Sequence, residues 1–204
     1  PSGWSTPVPA DVRSRMVDGA IRLLATRGLA GTSFSEVLEV TGAPRGSIYH
    51  HFPGGKDELI AAAVDRSAEN AVTLLDQRAG EPADRVAELF LDTWRLLLTR
   101  SGFEAGCALV AVTVDADTDV LRERAAAAFT AWRGHLAELL TRGGLPAETA
   151  QRTATLLLAA AEGGVILSRA THDLEPFDTV ASALLDQVRA GLTPGTPTPG
   201  TPTP

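Results

Sequence analysis

Arg45, Ser47, Tyr49 and His50 stand within six consecutive residues and carry groups suited to a hydrogen-bonding, anionic surface. Arg45 offers the forked donors that pair with guanine O6 and N7, and Ser47 can bond to either base edge. Gly46, between them, lets a backbone approach closely. Tyr49 and His50 each carry a donor at the end of a rigid ring, which suits a phosphate. Ile48 and Phe52 fall on the opposite side. A short helix divided in this way is built to be held rigidly and to touch something polar. Lys56 follows at a new helix start and is the only lysine beside 17 arginines. A lysine in a first helical turn opposes the helix dipole. A bound anion would resolve that conflict, using free amides and the ammonium together. In the blander alternative, Asp57 and Glu58 offset the charge and Lys56 is a surface residue.

The elements that must position these groups read as helices. Apolar residues at Val12, Met16, Ala20, Leu23 and Leu24 recur at helical spacing, and Gly28 is a plausible C-cap. Ser33-Phe34-Ser35-Glu36 reads as a reciprocal capping box opening a second helix. Gly42 stops that helix, and Pro44 suits the first turn of the next. Pro53-Gly54-Gly55 ends the third, and Lys56 opens a longer helix running to about Gln77. Five further helical stretches are expected, at 84–99, 105–114, 118–142, 147–169 and about 176–191. The valine-rich stretch at 105–114 also admits a strand reading. Two short helices, 35–41 and 44–51, joined by a tight turn and braced by a longer one, form a helix-turn-helix, whose second helix enters the DNA major groove.

Composition narrows the function. The formal net charge of −7 excludes wholesale electrostatic attraction to nucleic acid. Residues 11–66 carry 7 basic and 7 acidic residues, so the excess acid lies beyond them. A near-neutral domain still binds DNA when its few cations sit on the docking face. The single cysteine, Cys107, allows no internal disulfide and fits a reducing cytoplasm. Residues 1–10 lack the pattern of a signal peptide. The apolar run 154–167, interrupted by Glu162, is read as too short for a bilayer, and no membrane partner is expected.

Thr32-Ser33-Phe34 with Glu36-Val37, then Gly42 through Phe52, then Lys56-Asp57-Glu58-Leu59, resembles the DNA-binding domain of the TetR family of transcriptional repressors. The extra residue in Phe52-Pro53-Gly54-Gly55-Lys56, with Gly106-Cys107 and Glu162-Gly163, resembles its LmrA/YxaF-like branch. The resemblance implies base contacts from Arg45, Gly46 and Ser47. It implies phosphate contacts from Tyr49, His50 and Lys56, and from Thr32 and Ser33 at the start of the preceding helix. Pro44 departs from the more usual Ser or Thr, so any contact from that side chain is lost.

Other residues carry two readings each. His51 is read as a packing residue beside Phe52 rather than a DNA contact. His50 and His51 do not make a metal pair, since neighbours on a helix diverge and no third ligand is near; no metal or cofactor is expected. Phe90, Trp94, Phe103, Phe129 and Trp132 are either core or the lining of a ligand cavity, with His135 or Glu162 as its polar contacts. Glu162 alternatively meets Arg133 or Arg169. Cys107 is counted with these ligand-cavity residues, and its thiol is either buried and inert or a redox sensor. Residues 155–167 are apolar or small nearly all round, so something beyond their own core must cover one face. Ala159, Ala160, Gly163, Gly164 and Leu167, with Val180, Leu184 and Val188 of the last helix, are the expected dimer interface.

The sequence therefore predicts an all-α chain of about nine helices. It comprises an extension at 1–10, a DNA-binding domain at 11–66, a ligand-binding and dimerisation domain at 67–192, and a disordered Thr/Pro/Gly tail at 193–204. The expected protein is a cytoplasmic homodimeric regulator, most simply a repressor that binds a palindromic operator in double-stranded DNA and is released by a small apolar or aromatic effector. A helical small-molecule-binding protein with a vestigial helix-turn-helix is the alternative. No nucleophile elbow, phosphate loop or HExxH motif supports an enzyme.

Overall fold

A computed structural model describes residues 11–192. The expected N-terminal extension and C-terminal tail lie outside the described residues. Among those residues the fold is all-helical: α1 (Val12–Arg27), α2 (Phe34–Thr41), α3 (Arg45–His51), α4 (Lys56–Leu75), α5 (Ala83–Arg100), α6 (Ala108–Asp115), α7 (Asp119–Arg142), α8 (Ala147–Thr171) and α9 (Glu175–Leu192). The fourth helix ends at Leu75, and Asp76–Arg78 tighten into a 3-10 turn rather than continuing it. The stretch with the strand-like valines is helical as α6. It buries one side through Ala108, Leu109 and Val112, while Val114 stays exposed.

The described chain forms two compact units, 11–72 with 104–132, and 73–103 with 133–192. In the first, α1 supplies the central core through Met16, Val17, Ala20, Leu23 and Leu24. Gly19 lets α2 approach closely, because a Cβ there would run into the Thr41 methyl. That contact brings Arg15 within 3.4 Å of the Thr41 carbonyl and Arg22 within 3.5 Å of the Val40 carbonyl. Both carbonyls belong to the last turn of α2, whose free acceptors need partners. Gly42 then closes α2 in the left-handed region, at φ 64°, where a side chain would be strained.

The N-terminus of α2 corrects the reciprocal capping box. The Ser33 hydroxyl does accept from the Glu36 amide, at 3.2 Å. The Glu36 carboxylate turns instead to Arg27, at 2.6 Å. A guanidinium is the stronger donor for a carboxylate than a neutral backbone amide.

In the second unit, α8 packs on α9 and both meet α5. Gly164 sits against Phe177, 3.2 Å from where its Cβ would lie, and the Ser168 hydroxyl accepts from the Phe177 amide at 3.1 Å. Arg95 of α5 reaches Asp178 of α9 at 2.8 Å. This packing corrects part of the expected dimer interface. Gly164, Leu184 and Val188 are buried within their own protomer, Leu184 at 8% exposure. Gly164 lies on the face that α8 turns toward α9. Ala159 and Leu167 are exposed, and Ala160, Gly163 and Val180 are half-exposed.

The helix containing the apolar run is also longer than expected. At 25 residues, α8 is long and apolar enough, by length and composition, to cross a membrane. Of its most apolar window, 44% is buried inside the protein.

Candidate nucleic-acid interface

The third helix is anchored from beneath and open above. Ile48 and Phe52 are buried, and the Arg13 guanidinium caps the Phe52 ring at 5.0 Å from its centroid. Burying these two side chains fixes the roll of a helix too short to be stable alone. Arg45, Gly46, Tyr49 and His50 are exposed as a consequence. Neither the Arg45 guanidinium nor the Tyr49 phenol has a hydrogen-bond partner among the described residues. Nothing lies within 4 Å of where a Cβ on Gly46 would stand. Backbone and side chains on this face are thus free for an outside partner.

Ser47 is half-exposed and its hydroxyl donates to the Pro44 carbonyl at 2.6 Å. Its lone pairs remain for accepting. Pro44 is the N-cap of α3 rather than its first helical residue, and it supplies no side-chain cap. His51 is half-exposed, its ring 5.2 Å from that of His50. No group of three or more metal-ligating side chains occurs among the described residues.

The flanking groups differ in what they have left to offer. Ser33 is half-exposed; its hydroxyl accepts the Glu36 amide and lies 2.9 Å from the Ser35 hydroxyl. Thr32 is 1% exposed, and its hydroxyl donates to the Gly28 carbonyl at 2.8 Å. A phosphate contact from the Thr32 side chain is therefore corrected: the residue holds the turn that delivers Ser33. Lys56 is half-exposed, and its ammonium donates to the Leu29 carbonyl at 3.0 Å. An ammonium carries three donors, so this bond leaves others for solvent or an anion.

Two features here were missed in the sequence. Phe34 meets Tyr49 edge to face, with ring centroids 5.6 Å apart and planes at 84°. The two rings form one corner of a groove of about 750 Å³ that also takes in Ser33, Ser35, Glu39 and Arg45. The helical period alone would place Phe34 at the boundary of the core, where such a pairing leaves no separate signal.

The nominated ligand residues fall in both units. Phe90, Trp94, Phe103, His135 and Glu162 lie in the second, and Cys107, Phe129 and Trp132 in the first. Phe90, Trp94 and Trp132 are buried. The Phe129 and Trp132 rings stack at 6.4 Å, and His135 pairs with Asp76 at 2.9 Å. Phe103 adopts a left-handed φ of 66° just past α5. Cys107 is half-exposed at the N-cap of α6. A groove of about 790 Å³ runs between α7 and α8, past Arg133, Gln151, Arg152 and Leu156, and none of the nominated residues lines it.

A short helix held by its apolar side, presenting an arginine, a glycine and two ring donors beyond a tight glycine turn, defines a helix-turn-helix DNA-binding protein. Residues 16–63 match the model of the bacterial regulatory proteins of the tetR family, and residues 82–183 match that of the LmrA/YxaF-like transcriptional regulator C-terminal domain. An HTH-type transcriptional regulator of Mycobacterium tuberculosis is 36% identical over 187 residues, covering 88% of this chain and 95% of that protein. The HTH-type transcriptional regulator LmrA of Bacillus subtilis is 26% identical over 183 residues, covering 88% of this chain and 97% of LmrA. The crystal structure of a TetR transcriptional regulator from Legionella pneumophila superposes with a TM-score of 0.78 at 21% identity, over 89% of this chain and 98% of that one. The chain belongs to the TetR family of transcriptional regulators, in its LmrA/YxaF-like branch.

Proposed function

We propose that this chain is a cytoplasmic, non-enzymatic repressor that binds a palindromic operator as a homodimer and leaves it when a small apolar or aromatic effector binds. The observation that carries the DNA reading is the division of α3: Ile48 and Phe52 buried, and Arg45, Gly46, Tyr49 and His50 exposed. Arg45, Gly46 and Ser47 read base edges in the major groove. Tyr49, His50, Lys56 and Ser33 hold phosphates, which fix register.

The homodimer reading is supported by an outward stripe on α8. Leu156, Ala159, Gly163, Ile166 and Leu167 recur at helical spacing, with Ile166 56% and Leu167 55% exposed. A two-fold axis through such a stripe makes it self-complementary. It would set two recognition helices against the two halves of a palindrome. The burial of α8 against its own protomer supports a soluble chain rather than a membrane-bound one.

Effector control is the family's usual use of its second domain, and Trp94 of α5 is a buried fluorescent reporter within the second unit. The test is a salt-dependent gel shift with the DNA upstream of the protein's own gene. Retention that falls steeply with salt and survives competition by scrambled DNA supports the operator reading. Equal retention of both duplexes overturns it. Apolar and aromatic compounds are then titrated while tryptophan fluorescence is followed. A true effector changes the fluorescence over the same concentration range in which it releases DNA, because the two binding events are linked. Release by none of them removes effector control from the reading.

A further inference from the structure

We propose that Phe34 is a positioning residue for DNA docking: its ring sets the Tyr49 phenol at the angle from which it meets a phosphate. The inference rests on the DNA-binding reading above and adds a residue that no base or phosphate needs to touch.

Three observations carry it. Tyr49 is 69% exposed, so the core does not define its side-chain torsions. Phe34 is half-buried and is the first residue of α2, directly after the Ser33 cap that fixes the start of that helix. The two rings meet edge to face at 5.6 Å and 84°. That geometry sets the electron-poor edge of one aromatic against the electron-rich face of the other. A solvent-exposed tyrosine otherwise samples several rotamers, and selecting one on docking costs entropy. Held by Phe34, the phenol has that cost removed before DNA arrives. The contact also joins α2 to α3 through side chains on the docking face, so register and phenol direction are set together.

Tyr49 is the only tyrosine in the chain, which makes the test direct. Full-length protein labelled with 13C-tyrosine gives one ring signal. In the wild type that signal should be displaced by the ring current of Phe34. In Phe34→Leu, which keeps apolar bulk, it should move to the position of a free tyrosine. Phe34→Tyr would add a second tyrosine signal, so it is reserved for the binding measurements.

Affinity is then read for cognate and scrambled duplexes. Phe34→Leu should weaken both by the same factor, about three- to tenfold, the worth of one aromatic pair. The salt dependence should not change, since neither ring is charged. Phe34→Tyr should restore wild-type affinity. In a Tyr49→Ala background, Phe34→Leu should cost less than about twofold, because the residue it positions is gone. Additive losses from Phe34→Leu and Tyr49→Ala, or an unchanged tyrosine signal, would overturn the proposal. Loss of affinity with a lowered melting temperature and an unmoved signal would mark Phe34 as structural and overturn it as well. A displaced tyrosine signal in a protein that does not discriminate operator from scrambled DNA would keep the contact and sink the DNA reading instead.

Discussion

Lys56 Nζ lies 3.0 Å from the Leu29 carbonyl oxygen, so the first residue of α4 is tied to the turn before α2. One ammonium thereby serves two candidate roles. It joins the helix that follows the recognition helix to the loop that delivers Ser33, and its remaining donors are left for solvent or an anion. Lys56→Ala should consequently show two separable losses. Stability should fall by about 1 kcal/mol, the scale of a hydrogen bond to a charged donor at a partly exposed site. The salt dependence of DNA binding should flatten by about one charge per head. Chemical denaturation and affinity measured across salt concentrations check the two independently. A stability loss with an unchanged salt slope would confine Lys56 to the first role.

Arg45 offers the opposite case, a side chain with no hydrogen-bond partner of its own among the described residues. Removing it should leave the fold untouched. Arg45→Ala should cost about 1–3 kcal/mol on the cognate operator and relax discrimination at one base pair in each half-site. The checking measurement is the affinity ratio between the cognate duplex and duplexes substituted one position at a time. An unchanged ratio would remove Arg45 from base reading.

What the sequence displayed well was periodicity and punctuation. Gly28 and Gly42 announced helix ends, and both cap their helices with positive φ. Ile48 and Phe52 announced the buried side of α3. What it displayed poorly was the choice between competing partners. Glu36 was in reach of a backbone amide by sequence spacing, and the fold supplied Arg27 from another helix. Thr32 lies beside Ser33 in a motif, yet only the turn geometry shows that its hydroxyl faces inward to Gly28. Likewise an apolar stripe names a face to be covered without naming its cover. Leu184 and Val188 are covered within their own protomer, whereas Leu167 stays 55% exposed among the described residues.

Thr32 allows the inward assignment to be tested. Thr32→Val keeps the shape and removes the hydroxyl that donates to the half-exposed Gly28 carbonyl. It should destabilise the fold by about 0.5–1.5 kcal/mol, the net worth of one neutral hydrogen bond. Thermal unfolding measures the loss. The salt slope of DNA binding, extrapolated to conditions where the variant is folded, should match the wild type. A normal melting temperature with a shallower salt slope would return Thr32 to the phosphate contacts.

Gly19 predicts a steric effect of the same order. A methyl group there would collide with the Thr41 side chain, and the neighbouring contacts with Val40 and Val37 leave α2 little room to retreat. Gly19→Ala should therefore lose about 1–3 kcal/mol by overpacking, despite the better helix propensity of alanine. The compensating variant Gly19→Ala with Thr41→Ser removes the offending methyl and should recover most of the loss. Calorimetry of the single and double variants decides it. A stabilised single variant would show that propensity outweighs packing at this position.

Gly163 and Leu184 separate assembly from folding. Nothing lies within 4 Å of a Cβ built on Gly163, so a side chain there starts into open space within its own protomer. Gly163 belongs to the outward stripe of α8 with Ile166 and Leu167. Gly163→Leu should thus leave the melting behaviour of the protomer intact while pushing the helices of two copies apart. Leu184 is enclosed by its own chain, and Leu184→Arg would bury a charge without a partner. That variant should unfold, or lose several kcal/mol, whatever the assembly state. Analytical ultracentrifugation of the two variants, paired with circular dichroism, reads both outcomes. A folded monomer from Gly163→Leu should also lose operator affinity steeply, since one head alone forfeits the gain from two linked half-sites. If Gly163→Leu instead remains a dimer with unchanged dissociation, the stripe on α8 is not the contact between copies, and Leu96 on the exposed side of α5 becomes the next surface to alter.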